Sequence, residues 1–178
     1  MKAAGPALLA FLALCGCGSS PAGAPAVTPA SVRRLVLVEV DGRGSEADAF
    51  VSRFLLTLSQ LGLGEVTDAR LAGATLETLR EASSSAAERF RTLYPGDVYV
   101  GVKIPPCQPI RARGDSVEME CTATVRAVSP AGASLADFEA KDANFTGIGR
   151  NEESGPEGEA ARGAAKKAAK KLAAALGR

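Results

Sequence analysis

Thiols and amines carry most of the chemistry open to this chain. Cysteine occurs at Cys15, Cys17, Cys107 and Cys121, and histidine is absent from all 178 residues. Without imidazole there is no Ser-His-Asp or Cys-His triad, no common zinc ligand set and no proton shuttle near neutral pH. No two cysteines have the C-x-x-C spacing that suits redox work. Asp41, Asp97 and Asp142 lie near expected strand ends and are the candidates for carboxylate chemistry, although single carboxylates at turns usually serve as caps or solvated charges. Gly42-x-Gly44 lacks the later glycine of a phosphate cradle. No catalytic residue, metal ligand or cofactor is therefore assigned.

The first two thiols sit in a targeting context. Lys2 precedes the apolar run Ala7 to Leu14, and Cys15-Gly16-Cys17-Gly18 follows. Eight apolar residues make roughly 12 Å of helix against a bilayer core of roughly 30 Å, so the run reads as a short signal peptide rather than a membrane span. Leu14, Gly16 and Cys17 resemble the lipobox of bacterial lipoproteins, with leucine at −3, a small residue at −1 and the acceptor cysteine at +1. Cys15 would place Leu14 at −1, where a small side chain is required. The resemblance implies cleavage after Gly16 and a diacylglycerol thioether, with palmitate-type chains, on Cys17. The other reading is an ordinary secretory peptide cut near Ala22 or Ala24. Two or more acyl chains anchor a protein stably where one does not. Residues 1–16 are thus read as the signal, 17–31 as a flexible tether rich in Ser, Pro, Ala and Gly, and 32–178 as one periplasmic domain. By the same resemblance, Gly18 after the cysteine favours the outer membrane.

Cys107 and Cys121 remain in the exported part, and an even pair there suggests a disulfide. A hairpin centred on Gly114, with Arg113-Gly114-Asp115 at its tip, would set them opposite one another on two strands. A buried free thiol and a loop thiol are the alternative. The third chemical feature is basic. Between residues 156 and 178 there are six basic and two acidic groups. Lys166, Lys167, Lys170 and Lys171 cluster opposite an Ala164, Ala168, Leu172, Ala175 and Leu176 stripe on an expected amphipathic helix. Export excludes nucleic acid as its partner. The lysines form either a solvated face or a contact for anionic lipid headgroups, lipopolysaccharide or cell-wall polymer.

The elements that would hold these groups follow from periodicity. Leu35 to Val40 is an aliphatic run, expected as a central strand covered on both faces. Ser45 and Asp48 open a helix whose Ala47, Phe50, Val51, Phe54, Leu55, Leu58 and Leu61 share a face until Gly62. A short strand over 65–69 precedes a helical stretch over 74–94, with Leu76, Leu79, Ala86, Phe90 and Leu93 inward. Strands are expected over 97–104, 117–128 and 133–145. In the second of these Val117, Met119, Cys121, Ala123 and Val125 face the core. Residues 147–158 read as a loop and the terminal helix starts at Pro156. The fold class is α/β (α+β): a mixed four- to five-stranded sheet flanked by helices in the order β-α-β-α-β-β-β-α.

That order on a lipoprotein, with Asp68-Ala69-Arg70 after the second strand and Asp97-Val98-Tyr99-Val100-Gly101 as the third, resembles a group of periplasmic lipoproteins. The group includes the curli-type secretion channel lipoprotein and the penicillin-binding-protein activator lipoprotein, and shares its fold with the N-terminal domain of TolB. The resemblance implies a small non-enzymatic binding or accessory module, anchored through its lipid to the periplasmic face of the outer membrane, with an envelope protein as partner. A self-assembling subunit of an envelope ring or secretion complex, a homo-oligomer, is the alternative. The connections 105–115 and 141–149 are too short for two membrane-spanning hairpins of about 9–11 residues per strand.

Overall fold

The computed structural model describes residues 32–81, 84–114, 116–145 and 155–177. Gly16, Cys17 and the expected signal and tether lie outside these. Six strands build one mixed sheet: β1 (Arg34–Asp41), β2 (Glu65–Asp68), β3 (Val98–Lys103), β4 (Gln108–Arg113), β5 (Ser116–Val128) and β6 (Ser134–Phe145). The helices are α1 (Gly44–Gln60), α2 (Leu76–Arg80), α3 (Ser85–Leu93) and α4 (Gly155–Ala175), and a 3-10 turn occupies Arg70–Ala72. The sheet is mixed and flanked by helices as expected, with one strand more than the highest count.

β1 runs parallel to both β2 and β3, and β5 then pairs antiparallel with β3, β4 and β6. The aliphatic run of β1 is buried on both faces. Leu35 and Leu37 join the larger core with Phe50, Phe54 and Leu58 of α1 and with Ala164, Ala168 and Leu172 of α4. Val36 and Val38 join a smaller core with Leu76, Leu79, Phe90 and Tyr99. A strand between two helical layers needs apolar side chains at every position, which is why its sequence shows no alternation.

β3 and β4 lie along the same edge of β5. Tyr99 to Lys103 pair with its second half and Gln108 to Arg113 with its first, so residues 98–113 amount to one long strand interrupted at Pro105 and Pro106. Proline cannot donate to a ladder, and two in succession break it. Beyond the break, all six β4 residues are exposed. The inward face of β5 is as expected, with Met119, Cys121, Ala123 and Val125 in the core, while Val117 packs against it partly buried.

Several expectations at helix ends and phases are corrected. Neither Ser45 nor Asp48 caps α1: Arg43 takes the N-cap position, with no side-chain cap bond. Leu61 is the C-cap just past the helix and is exposed, and Gly62, at φ +70°, then turns the chain away. The single helix expected over 74–94 is two. α2 stops at Arg80, and α3 starts a new phase at Ser85 that buries Ala87 instead of Ala86 and leaves Leu93 in solvent. Tyr94 packs inward in its place. α4 begins at Gly155, inside the stretch read as a loop, and Ala175 is exposed at its last residue. Among the described residues, no helix is long and apolar enough to cross a membrane.

Candidate functional site

The disulfide is the best-defined feature that the sequence foretold. Cys107 and Cys121 are bonded, with Cα atoms 4.4 Å apart. The ladder explains why they meet. Gln108 pairs with Glu120 and Pro109 with Met119, and the same register continued by one step sets Cys107 against Cys121. Nearer the tip the register slips by one residue between Pro109 and Arg111. The last pair before the tip is Arg113 with Ser116, so the hairpin is not centred on Gly114 as expected. Gly114 has φ +54°, a left-handed conformation that favours glycine in a two-residue turn. Asp115 lies outside the described residues.

The three candidate carboxylates stand apart, each with a structural partner. Asp97 accepts from the backbone N–H groups of Arg33 and Arg34 at 2.8 and 2.9 Å, stapling the starts of β1 and β3 together. Asp41 faces Lys103 at 3.6 Å, both exposed. Asp142 bonds Lys167 and lies directly over Gly163, where a Cβ would collide with the Asp142 Oδ2. No cluster of three Cys, Asp or Glu side chains that could hold a metal ion forms among the described residues.

The four lysines of α4 divide into two kinds. Lys167 donates to the Lys141 carbonyl at 3.2 Å and pairs with the Asp142 carboxylate. Lys171 donates to the Glu139 carbonyl at 2.7 Å and stands 5.9 Å from the centre of the Phe138 ring. Both reach β6. Lys166 and Lys170 are exposed, with no hydrogen bond or ion pair among the described residues. The basic cluster is thus half committed to the fold, and only half remains for an anionic surface.

Sequence reasoning did not identify the crevice at the carboxyl ends of the parallel strands. The β1-to-β2 connection runs through α1 on one face, and the β2-to-β3 connection runs through α2 and α3 on the other. α1 leaves the end of β1 on one face and α2 follows β2 on the other, so the two connections diverge outside the carboxyl ends of these neighbouring parallel strands, the kind of position where ligands of open α/β sheets bind. Asp41, Arg43 and Glu46 come from the β1–α1 turn, and Lys103, Ile104 and Pro105 from the β3–β4 connection, around a hollow of about 400 Å³. A neighbouring hollow of about 380 Å³ is bounded by Val40, Asp48, Asp68, Arg70 and the fully exposed Leu71. Arg70 grips Asp68 through Nε and Nη2, at 2.9 and 2.7 Å. Those hydrogen bonds hold the Asp68 carboxyl below its usual value. Arg43, Lys103, Arg70 and the carboxylates of Asp41, Asp48 and Asp68 line the two hollows, with Pro105 and Pro106 beside the first. The signal that could have found it was the pair of β-strand ends followed by Asp41-Gly42-Arg43-Gly44 and Lys103 to Pro106.

No protein-family model and no curated protein matches the chain. Among solved structures, it is similar to the hypothetical protein CT253 from Chlamydia trachomatis. That match has 9% identity and a TM-score of 0.60, and covers 83% of this chain and 99% of that one. This likeness shows the fold. Weaker similarity is found to lipoprotein GNA1162 from Neisseria meningitidis, with 13% identity, a TM-score of 0.43 and coverage of 68% and 88%. A PelC dodecamer from Paraburkholderia phytofirmans matches at 11% identity and a TM-score of 0.47, with coverage of 86% and 93%. At TM-scores below 0.5 these two add nothing to the fold assignment.

Proposed function

We propose that the chain is a cell-envelope lipoprotein, tethered through Cys17 to the periplasmic face of a bacterial outer membrane, and that it acts as a non-enzymatic binding or accessory module. One observation carries the reading: Lys2, the apolar run to Leu14, Gly16 and Cys17 occur in the order that lipid attachment requires. The Cys107–Cys121 disulfide supports it, because such bonds persist in oxidising compartments. Kinship with the curli-type and penicillin-binding-protein activator lipoproteins belongs to the same reading.

The strand directions give the tether a consequence. β1 starts at Arg34, near the end of the tether, and runs to Asp41 at the crevice. The lipid-proximal end of the domain is therefore the amino end of the parallel strands, and the crevice lies at the other. Fifteen residues, 17–31, separate Cys17 from the described domain, and that many residues span at most about 50 Å. Confinement within that distance raises the effective concentration of the crevice for partners near the same membrane.

The test is Cys17→Ala in a bacterial host supplied with labelled palmitate. The parent is expected to carry label and the variant none. Equal labelling of the two overturns the reading. A photo-crosslinking residue at Leu71, on the rim of the crevice, is expected to trap an envelope protein, whereas the same residue at Leu93 on α3 is not.

A further inference from the structure

We propose that Lys167 and Lys171 close the free edge of β6 against strand addition by holding the same carbonyl oxygens that a second copy of this chain would use to pair there. β6 is 12 residues long and, among the described residues, has a strand neighbour, β5, on one side only. Such an edge presents unpaired N–H and C=O groups and is a template for another strand. The two ammonium groups bind the carbonyls of Lys141 and Glu139. These acceptors are two residues apart, so they point the same way.

The spacing is matched by geometry. Four residues of α4 advance about 6.0 Å, and two residues of β6 advance about 6.8 Å. With α4 antiparallel to β6, lysines at i and i+4 fall on alternate carbonyls of the strand. The Lys171 ammonium over Phe138 and the Lys167 pair with Asp142 hold the two side chains in this position. Lys166 and Lys170 have the same charge on the same helix and take no part.

The occupant this edge suits is a second copy, because β6 is self-complementary. Antiparallel pairing about Ala140 sets Glu139 opposite Lys141 of the second copy, and Lys141 opposite its Glu139. Both residues are exposed and pair with Thr124 and Thr122 on the open face of the sheet. Opposite charges directly across strands are favourable. Moving the centre to Glu139 or to Lys141 would set like charges face to face, so the register about Ala140 is favoured over both.

The experiment compares the full chain with two double variants, Lys167→Met/Lys171→Met and Lys166→Met/Lys170→Met, in detergent at matched density by sedimentation equilibrium. Methionine keeps most of the aliphatic stem and removes the ammonium, and both variants lose the same charge. The first is expected to sediment at about twice the parent's protein mass, and the second at the parent's mass. Lys167→Arg/Lys171→Arg, which keeps donors at both places, is expected to match the parent. An unchanged mass for the first variant, or equal association of both methionine variants, overturns the proposal. If the first variant has lost its cooperative melt, the single variants Lys167→Met and Lys171→Met decide. Each is expected to give a concentration-dependent mixture of one and two copies, and parent-like mass in both overturns the proposal.

Discussion

Removing the disulfide tests how the β4–β5 arm is held. Cys107→Ala/Cys121→Ala deletes the bond without burying a hydroxyl at Cys121, which is only 1% exposed. The bridged residues are separated by 14 positions. Chain entropy for a closed loop of about 15 residues gives about 3 kcal/mol of stabilisation, arising from the unfolded state. The native register is kept by the ladder on both sides of the pair, so the variant should fold and simply be less stable. With a urea slope of about 1–3 kcal/mol per molar, the unfolding midpoint should fall by about 1–3 M. The assay is equilibrium urea unfolding followed by far-ultraviolet circular dichroism, with and without reductant. Reductant should move the parent's midpoint close to that of the variant and leave the variant unmoved. A parent midpoint that ignores reductant, with both thiols open to alkylation in the unfolded chain beforehand, would refute the reasoning.

Two further substitutions probe particular contacts. Gly163→Ala should destabilise the fold by about 1–2 kcal/mol even though alanine is favoured over glycine by about 1 kcal/mol inside a helix. Its methyl group would overlap the Asp142 carboxylate and lie 3.0 Å from the Asp142 Cβ. A raised melting temperature in this variant would contradict the close approach of α4 to β6. Asp68→Asn should flatten the acid limb of the stability curve. The Arg70 hydrogen bonds lower the folded pKa of Asp68 below its usual 3.8. Its contribution is therefore complete above that value and is lost as pH falls below it. Denaturant midpoints measured from pH 5 downwards should drop more steeply for the parent than for Asp68→Asn, and parallel curves would sink this point.

Which parts of this fold the sequence announces depends on whether side chains or backbone do the work. β1, α1 and the inward face of β5 are legible because burial dictates their apolar pattern, from Leu35 to Val38, at Phe50, Phe54 and Leu58, and at alternate positions from Met119 to Val125. β4 is not, since Gln108 to Arg113 buries nothing, contains Pro109 and forms only because β5 lies beside it. The break between α2 and α3 resets the helical phase, so counting onward from Leu79 arrives at Ala86 one residue too early. The pairing of Cys107 with Cys121 is legible from the two cysteines left in the exported part, whereas the count about Gly114 reaches it only because the slip between Pro109 and Arg111 offsets the shifted centre of the turn. The division of the lysines is not. The acceptors of Lys167 and Lys171 are backbone carbonyls, which every residue has and no sequence marks. The crevice escapes for a similar reason, because strand order creates it and individual residue types do not.

Mass spectrometry of the amino-terminal peptide, taken from chain purified out of bacterial membranes, tests the envelope reading most directly. The predicted result is a peptide that begins at Cys17 and carries the added mass of a diacylglycerol, with Met1 to Gly16 gone. A chain that retains Met1 with an unmodified Cys17, or one that begins after Ala22 or Ala24 and carries no acyl group, would contradict it.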